Sequence, residues 1–128
     1  MFPGRYCAAG EPGVWYGASS EAAAWAELTR SVSHAMIAQA RMASLSIRLE
    51  RVLDLTDLAT RRALGVTTAD VTSDDLRVTQ AIGAWAQEHG YEGILAPSAA
   101  LENATTLVVF AANVSHVTVK TDVVAAPP

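Results

Sequence analysis

Residues 72–98 read TSDDLRVTQAIGAWAQEHGYEGILAPS, and this stretch decides the fold class. Thr72-Ser73-Asp74-Asp75 supplies the small polar and acidic residues that open a helix. Val78, Ile82 and Trp85 follow at spacings of four and three and predict one buried side. His89 falls in the last turn, and Gly90 sits just past it, where a positive φ is wanted. Tyr91 to Ala96 then reads as a strand, ended by Pro97-Ser98. A strongly patterned helix feeding directly into an apolar strand predicts a mixed architecture.

The same alternation of elements continues on both sides. Ser19-Ser20 offers an N-cap, and Trp25, Leu28, Val32 and Met36 form one apolar stripe behind it. Before it, residues 4–17 read as two short strands around the turn Gly10-Glu11-Pro12-Gly13, so that Arg5 and Val14-Trp15-Tyr16 fall on strands. Ala43, Leu45, Ile47 and Leu49 alternate with Ser44, Ser46 and Arg48, so residues 42–55 read as extended, with a break at Arg51. Thr56 is placed to cap a short helix that stops at Gly65. Leu107–Phe110 and His116–Val124 are further strands, and residues 125–128 are expected to be a loose tail. The expectation is an α+β fold: one compact domain over 1–124, a mixed β core of five or six strands flanked by two to four helices.

Composition narrows the function classes. Of the 128 residues, 51% are apolar, but 25 of those are alanine, so the bulky core-forming set is small. The mean hydropathy of +0.22 argues against a disordered chain. Nine Lys+Arg against 13 Asp+Glu give a net charge of −4, which offers no basic stripe for a nucleic acid. A single cysteine, Cys7, excludes an internal disulfide, and His34, His89 and His116 show no metal-ligand spacing. Asp74-Asp75 reads as helix-start charge rather than a metal site. No apolar run reaches membrane-spanning length and the N-terminus shows no signal pattern, so a soluble cytoplasmic protein without metal, membrane or nucleic-acid partners is expected.

Few residues carry chemistry. There is no phosphate-binding P-loop, no dinucleotide fingerprint, no zinc-protease helix and no nucleophile elbow. Arg5, Trp15-Tyr16, Glu27 and Ser98 remain. Glu27 lies roughly 145° around its helix from the Trp25 stripe. It therefore points away from that stripe, either as a solvated partner of Arg30 at i+3 or toward a cleft against the first strands. Ser98 is either a turn former or a hydroxyl presented at the mouth of the sheet.

At these residues the sequence resembles the RES domain family, named for an Arg, a Glu and a Ser. Gly4-Arg5-Tyr6, Val14-Trp15-Tyr16-Gly17-Ala18-Ser19 and Ala26-Glu27 carry the resemblance in the first part of the chain. Arg51-Val52-Leu53-Asp54-Leu55-Thr56-Asp57, Gln80-Ala81-Ile82-Gly83, Gly90 through Ala99 and Leu107-Val108-Val109-Phe110 carry the rest, and the GYEGILAPSA block is the most specific. Two departures stand out. Only four residues precede Arg5, where family members carry more, and Asn103-Ala104-Thr105-Thr106 stands where they often carry glycine.

The resemblance implies a fold similar to ADP-ribosyltransferase toxins and the role of a toxin in a bacterial toxin–antitoxin pair. It implies that NAD+ is the substrate, that no further cofactor is required, and that an Xre-type antitoxin is the partner. The activity implied is cleavage of the nicotinamide–ribose bond, by hydrolysis or by phosphorolysis with inorganic phosphate. Carried over residue by residue, Glu27 is the catalytic carboxylate, facing an oxocarbenium-like transition state. Arg5 holds the pyrophosphate, Tyr16 stacks on the cationic nicotinamide ring, and Ser98 bonds the ribose or a phosphate oxygen. Trp15 is the other candidate stacker, but strand alternation sends it to the opposite face from Tyr16. Two further readings stay open: mono-ADP-ribosyl transfer to a protein acceptor, and a catalytically silent module that only binds partners.

Overall fold

In a computed structural model of the chain, the residues described are 5–6, 13–31, 42–114 and 120–125. Strand β1 (Val14–Ala18) leads into helix α1 (Glu21–Ser31), then β2 (Met42–Ser46) and β3 (Val52–Asp54). Three helices follow, α2 (Leu58–Leu64), α3 (Thr68–Thr72) and α4 (Arg77–Glu88). The chain closes with β4 (Gly93–Pro97), β5 (Thr105–Phe110), a 3-10 turn at Ala111–Asn113 and β6 (Lys120–Ala125). The main sheet has the order β1-β5-β4-β3, and β2 pairs with β6 in a separate two-stranded sheet. Strand β4 runs parallel to β3 and antiparallel to β5, so the main sheet is mixed. The α+β expectation holds.

Alternation along the strands sorts the main sheet into two faces. Leu53, Ile94, Ala96, Val108 and Phe110 lie on one face and are buried, and Tyr6, Leu55, Val71, Ile82 and Ala86 pack with them. The other face carries Val52, Asp54, Leu95 and Leu107, which with Ile47 and Leu49 line a shallow groove of about 350 Å³. Trp15 pairs with Val109 and Tyr16 with Val108, so the two aromatic rings stand on opposite faces, as the alternation predicts.

The strongly patterned helix is rotated from its expected facing. Its buried side is Thr79, Ile82, Gly83 and Ala86, while Val78 and Trp85 are exposed. Close approach explains the choice. A Cβ on Gly83 would sit 1.9 Å from the Tyr6 carbonyl oxygen, so α4 lies directly on the Arg5-Tyr6 backbone. Trp85 instead stacks on His89 at 4.5 Å between ring centroids and tilts against Tyr91 at 5.8 Å. This helix also starts later than expected. Thr72 ends α3, Leu76 is the N-cap of α4 without a side-chain bond, and Asp75 accepts from the Arg77 backbone N–H at 3.1 Å. Gly90 has φ +77, as its place past the helix end requires.

Other boundaries shift for local reasons. Asp57 rather than Thr56 caps α2, accepting from Thr60 N–H, and Gly65 ends it as expected. Helix α3 was not anticipated, although Thr67 and Asp70 form a reciprocal capping box around its start. The 42–55 extended region is interrupted between Ile47 and Arg51, because the buried Glu92 captures the loop there. Its Oε1 accepts from Glu50 N–H at 2.7 Å and Arg51 N–H at 2.8 Å. The fourth strand begins at Gly93 rather than Tyr91, and the fifth at Thr105. Arg5 and Tyr6 form a turn, not a strand. Ala125, expected in a loose tail, is the last residue of β6, paired with Met42. Cys7, the Gly10–Pro12 part of the first turn, Val32, His34, Met36, His116 and residues 126–128 lie outside the described residues.

Candidate functional site at the ends of the fourth and fifth strands

The helix α1 is set in place at its start. Ser20 Oγ accepts from Ala23 N–H at 3.1 Å, confirming the expected cap, and Ala23 and Trp25 are buried. Ser19 is tied to β5 by two bonds, its N–H to Thr105 O and its Oγ accepting from Thr105 N–H, each at 3.0 Å. With Ala23 and Trp25 inward, Glu27 is carried toward the point where β4 ends and β5 begins.

There the register aligns Ala96 with Thr106 and Pro97 with Thr105, and Ser98 N–H donates to Ala104 O at 2.9 Å. Ser98 Oγ donates to Glu27 Oε1 at 2.9 Å, and Thr106 Oγ1 donates to the same oxygen at 3.3 Å. Ser98 is buried, with 8% of its surface exposed, and Glu27 is half-buried. Glu27 is thus placed against the end of the sheet, and the side chain of Arg30, its other expected partner, lies outside the described residues. Ser98 is both things the sequence left open: its Oγ also accepts from Ala100 and Leu101 N–H, so it forms the turn while facing the carboxylate.

A second cluster holds the arginine and the tyrosine. Arg5 Nη1 donates to the carbonyls of Val71 (3.4 Å) and Ser73 at the C-terminal end of α3. The Tyr6 backbone N–H donates to Tyr16 Oη at 3.0 Å, which fixes the phenol of a ring that is 43% exposed. The Tyr6 side chain is buried in the core, and burial pushes its phenol up to about 12, partly countered by the Arg5 charge.

The structure thus joins Glu27 to Ser98, and Arg5 to Tyr16 through Tyr6. The hydrogen bonds of the Arg5 guanidinium run to α3, not to Glu27. The two clusters share one sheet face: Tyr16 pairs with Val108, and Thr106 lies two residues along β5, a step of roughly 7 Å. The groove lined by Leu95 and Leu107 is on the opposite face. Its carboxylate, Asp54, accepts from Thr56 N–H at 2.9 Å in a local turn. Among the described residues no group of three or more His, Cys, Asp or Glu could hold a metal ion. No described helix is long and apolar enough to cross a membrane.

Sequence reasoning missed Thr106. The strand was expected to begin at Leu107, and the pairing of Thr106 with Ala96, on the face that Ser98 continues, needs the β4–β5 register.

A family model of the RES domain matches residues 1–127. The chain belongs to the RES domain family. A relative from Mycobacterium tuberculosis (strain ATCC 25618 / H37Rv), named "Probable NAD(+) phosphorylase", is 42% identical over 130 residues, covering 98% of this chain. The RES domain described here spans 62% of that relative's length. A chain of the crystal structure of the M. tuberculosis MbcT–MbcA toxin–antitoxin complex superposes with a TM-score of 0.72 at 25% identity. That match covers 98% of this RES domain and 73% of the other chain.

Proposed function

We propose that this RES domain cleaves the nicotinamide–ribose bond of NAD+, passes the ADP-ribosyl group to inorganic phosphate, and is the toxin of a cytoplasmic toxin–antitoxin pair restrained by an Xre-type antitoxin. The observation that carries the proposal is the Glu27 carboxylate, held by Ser98 and Thr106 on the sheet face that also presents Tyr16. The 42% identical relative named as an NAD(+) phosphorylase supports the choice of substrate and acceptor.

In this reading the glycosidic C–N bond breaks and its electron pair goes to the nicotinamide ring, which leaves neutral. Positive charge develops on the ribose, and the Glu27 carboxylate beside it lowers the energy of that state more in a half-buried site than in water. A phosphate oxygen then forms the new bond at the ribose carbon, giving ADP-ribose 1″-phosphate. Arg5 is assigned to the pyrophosphate, where a guanidinium suits paired phosphate oxygens, and Tyr16 to the cationic ring, which favours an aromatic face. Ser98 belongs to the same cluster.

The test is product analysis with NAD+ labelled in the adenosine half. Nicotinamide release with ADP-ribose 1″-phosphate formed only when phosphate is present supports the proposal. Free ADP-ribose irrespective of phosphate replaces phosphorolysis with hydrolysis, label in protein replaces it with transfer, and no loss of NAD+ refutes it.

A further inference from the structure

The hydroxyl of Ser98 has one proton to give and two lone pairs to accept with. Both acceptor positions are taken, by Ala100 N–H at 3.1 Å and Leu101 N–H at 3.2 Å. The proton goes to Glu27 Oε1 at 2.9 Å. No donor or acceptor capacity is left for a ribose or phosphate oxygen. Two backbone N–H groups pulling on the oxygen also polarise the O–H bond and strengthen its donation. Thr106 supplies a second donor to the same carboxylate oxygen from a different strand. Its cross-strand neighbours in register are Ala18 and Ala96. These small side chains leave room for a glutamate from α1 to reach the sheet.

We propose that Ser98 and Thr106 form a hydroxyl clamp that positions Glu27, and that neither contacts NAD+. The clamp fixes Oε1 before substrate arrives, so the direction of the carboxylate toward the sugar is set by the protein. Thr106 is a positioning residue of this site, and Ser98 moves from the substrate to the same role. The inference rests on the reading of Glu27 as the carboxylate beside the ribose.

Thr106 gives the cleaner test, because Ser98→Ala also strips the turn at Ala100 and Leu101 of its acceptor. In the full chain, Thr106→Val keeps the shape and removes the donor, and Thr106→Ser restores it. The expected result for Thr106→Val is a fall in kcat of about tenfold, in line with one charge-assisted hydrogen bond, with KM for NAD+ within about twofold. Thr106→Ser returns kcat to within about threefold of the parent, and Thr106→Val adds nothing in a Glu27→Gln background. A second readout needs no turnover. The side-chain carboxyl 13C resonance of Glu27 shifts in Thr106→Val and returns in Thr106→Ser. An unchanged kcat, a loss confined to KM, or a serine variant as impaired as valine overturns the clamp. If the parental protein consumes no NAD+, the functional reading fails by itself, and the resonance alone decides: a shift reversed by serine keeps the clamp, and an unmoved signal removes it.

Discussion

Gly83→Ala adds one methyl group where helix α4 rests on the Arg5-Tyr6 turn. In an exposed helix interior this exchange stabilises by roughly 1 kcal/mol, because alanine is the better helix former. Here the sign reverses. The new Cβ would lie 1.9 Å from the Tyr6 carbonyl oxygen and 2.8 Å from its carbonyl carbon, and both are backbone atoms that cannot rotate away. Contacts of this kind stay above 3.0 Å, so helix and turn must part by about 1 Å or more. Overpacking of this kind costs roughly 1–3 kcal/mol, and a backbone clash belongs at the upper end. Subtracting the propensity gain leaves a net loss of about 2 kcal/mol. For a chain of this size that is a fall in Tm of roughly 6–10 °C. The displaced turn carries Arg5 with it and loosens the Tyr6-to-Tyr16 bond, so KM for NAD+ should rise while the folded fraction still turns over. Thermal unfolding followed by circular dichroism, with a KM measurement below the transition, checks both parts. A Tm equal to or above the parental value would refute the reasoning, because it would mean that α4 does not bear on the Arg5-Tyr6 backbone.

Two further substitutions test the packing that surrounds the site. Among the described residues, Tyr6 Oη is the buried side-chain polar atom without a hydrogen-bond partner, so Tyr6→Phe should keep or raise stability at pH 7, by about 1 kcal/mol. The Tyr6 phenol is raised from 10.0 to about 12 by burial. The folded state holds that proton more tightly than the unfolded one, so its contribution is complete below pH 10 and lost as pH climbs through 12. It amounts to roughly 2–3 kcal/mol. Urea unfolding at pH 9 and pH 11.5 should show this alkaline loss in the parent and a smaller one in Tyr6→Phe; equal losses would contradict it. Glu92→Ala leaves the N–H groups of Glu50 and Arg51 without their acceptor, and should lower unfolding free energy by about 3 kcal/mol. Unchanged urea midpoints would mean that the Glu50-Arg51 loop is held by something else.

Much of the fold is legible because it is local. The apolar strand in GYEGILAPSA, the helix ahead of it and the glycine between them are set by neighbours in sequence, and the structure keeps all three. The facing of α4 was not legible. Trp85 is apolar, yet its surface is shared with His89 and Tyr91, and the glycine that lets the helix close on Tyr6 carries no hydrophobic signal. The sequence places Glu92 inside the expected Tyr91–Ala96 strand, and only the tertiary fold brings it to Glu50 and Arg51. The same limit applies to the site. Spacing alone turned Glu27 away from the Trp25 stripe, but its partners Ser98 and Thr106 are 71 and 79 residues away. Ser98 came through the family pattern, whereas Thr106 is visible only once the β4–β5 register is known.

The proposed cleavage stands on Glu27 acting at the sugar of NAD+. The direct measurement is the initial rate of NAD+ loss with phosphate present, for the purified parental chain and for Glu27→Gln, with matched Tm values showing that both are folded. Removing the charge while keeping the size should lower the rate by at least about 100-fold, the scale of losing a principal electrostatic stabiliser of a transition state. A folded Glu27→Gln protein that consumes NAD+ at the parental rate would contradict the account.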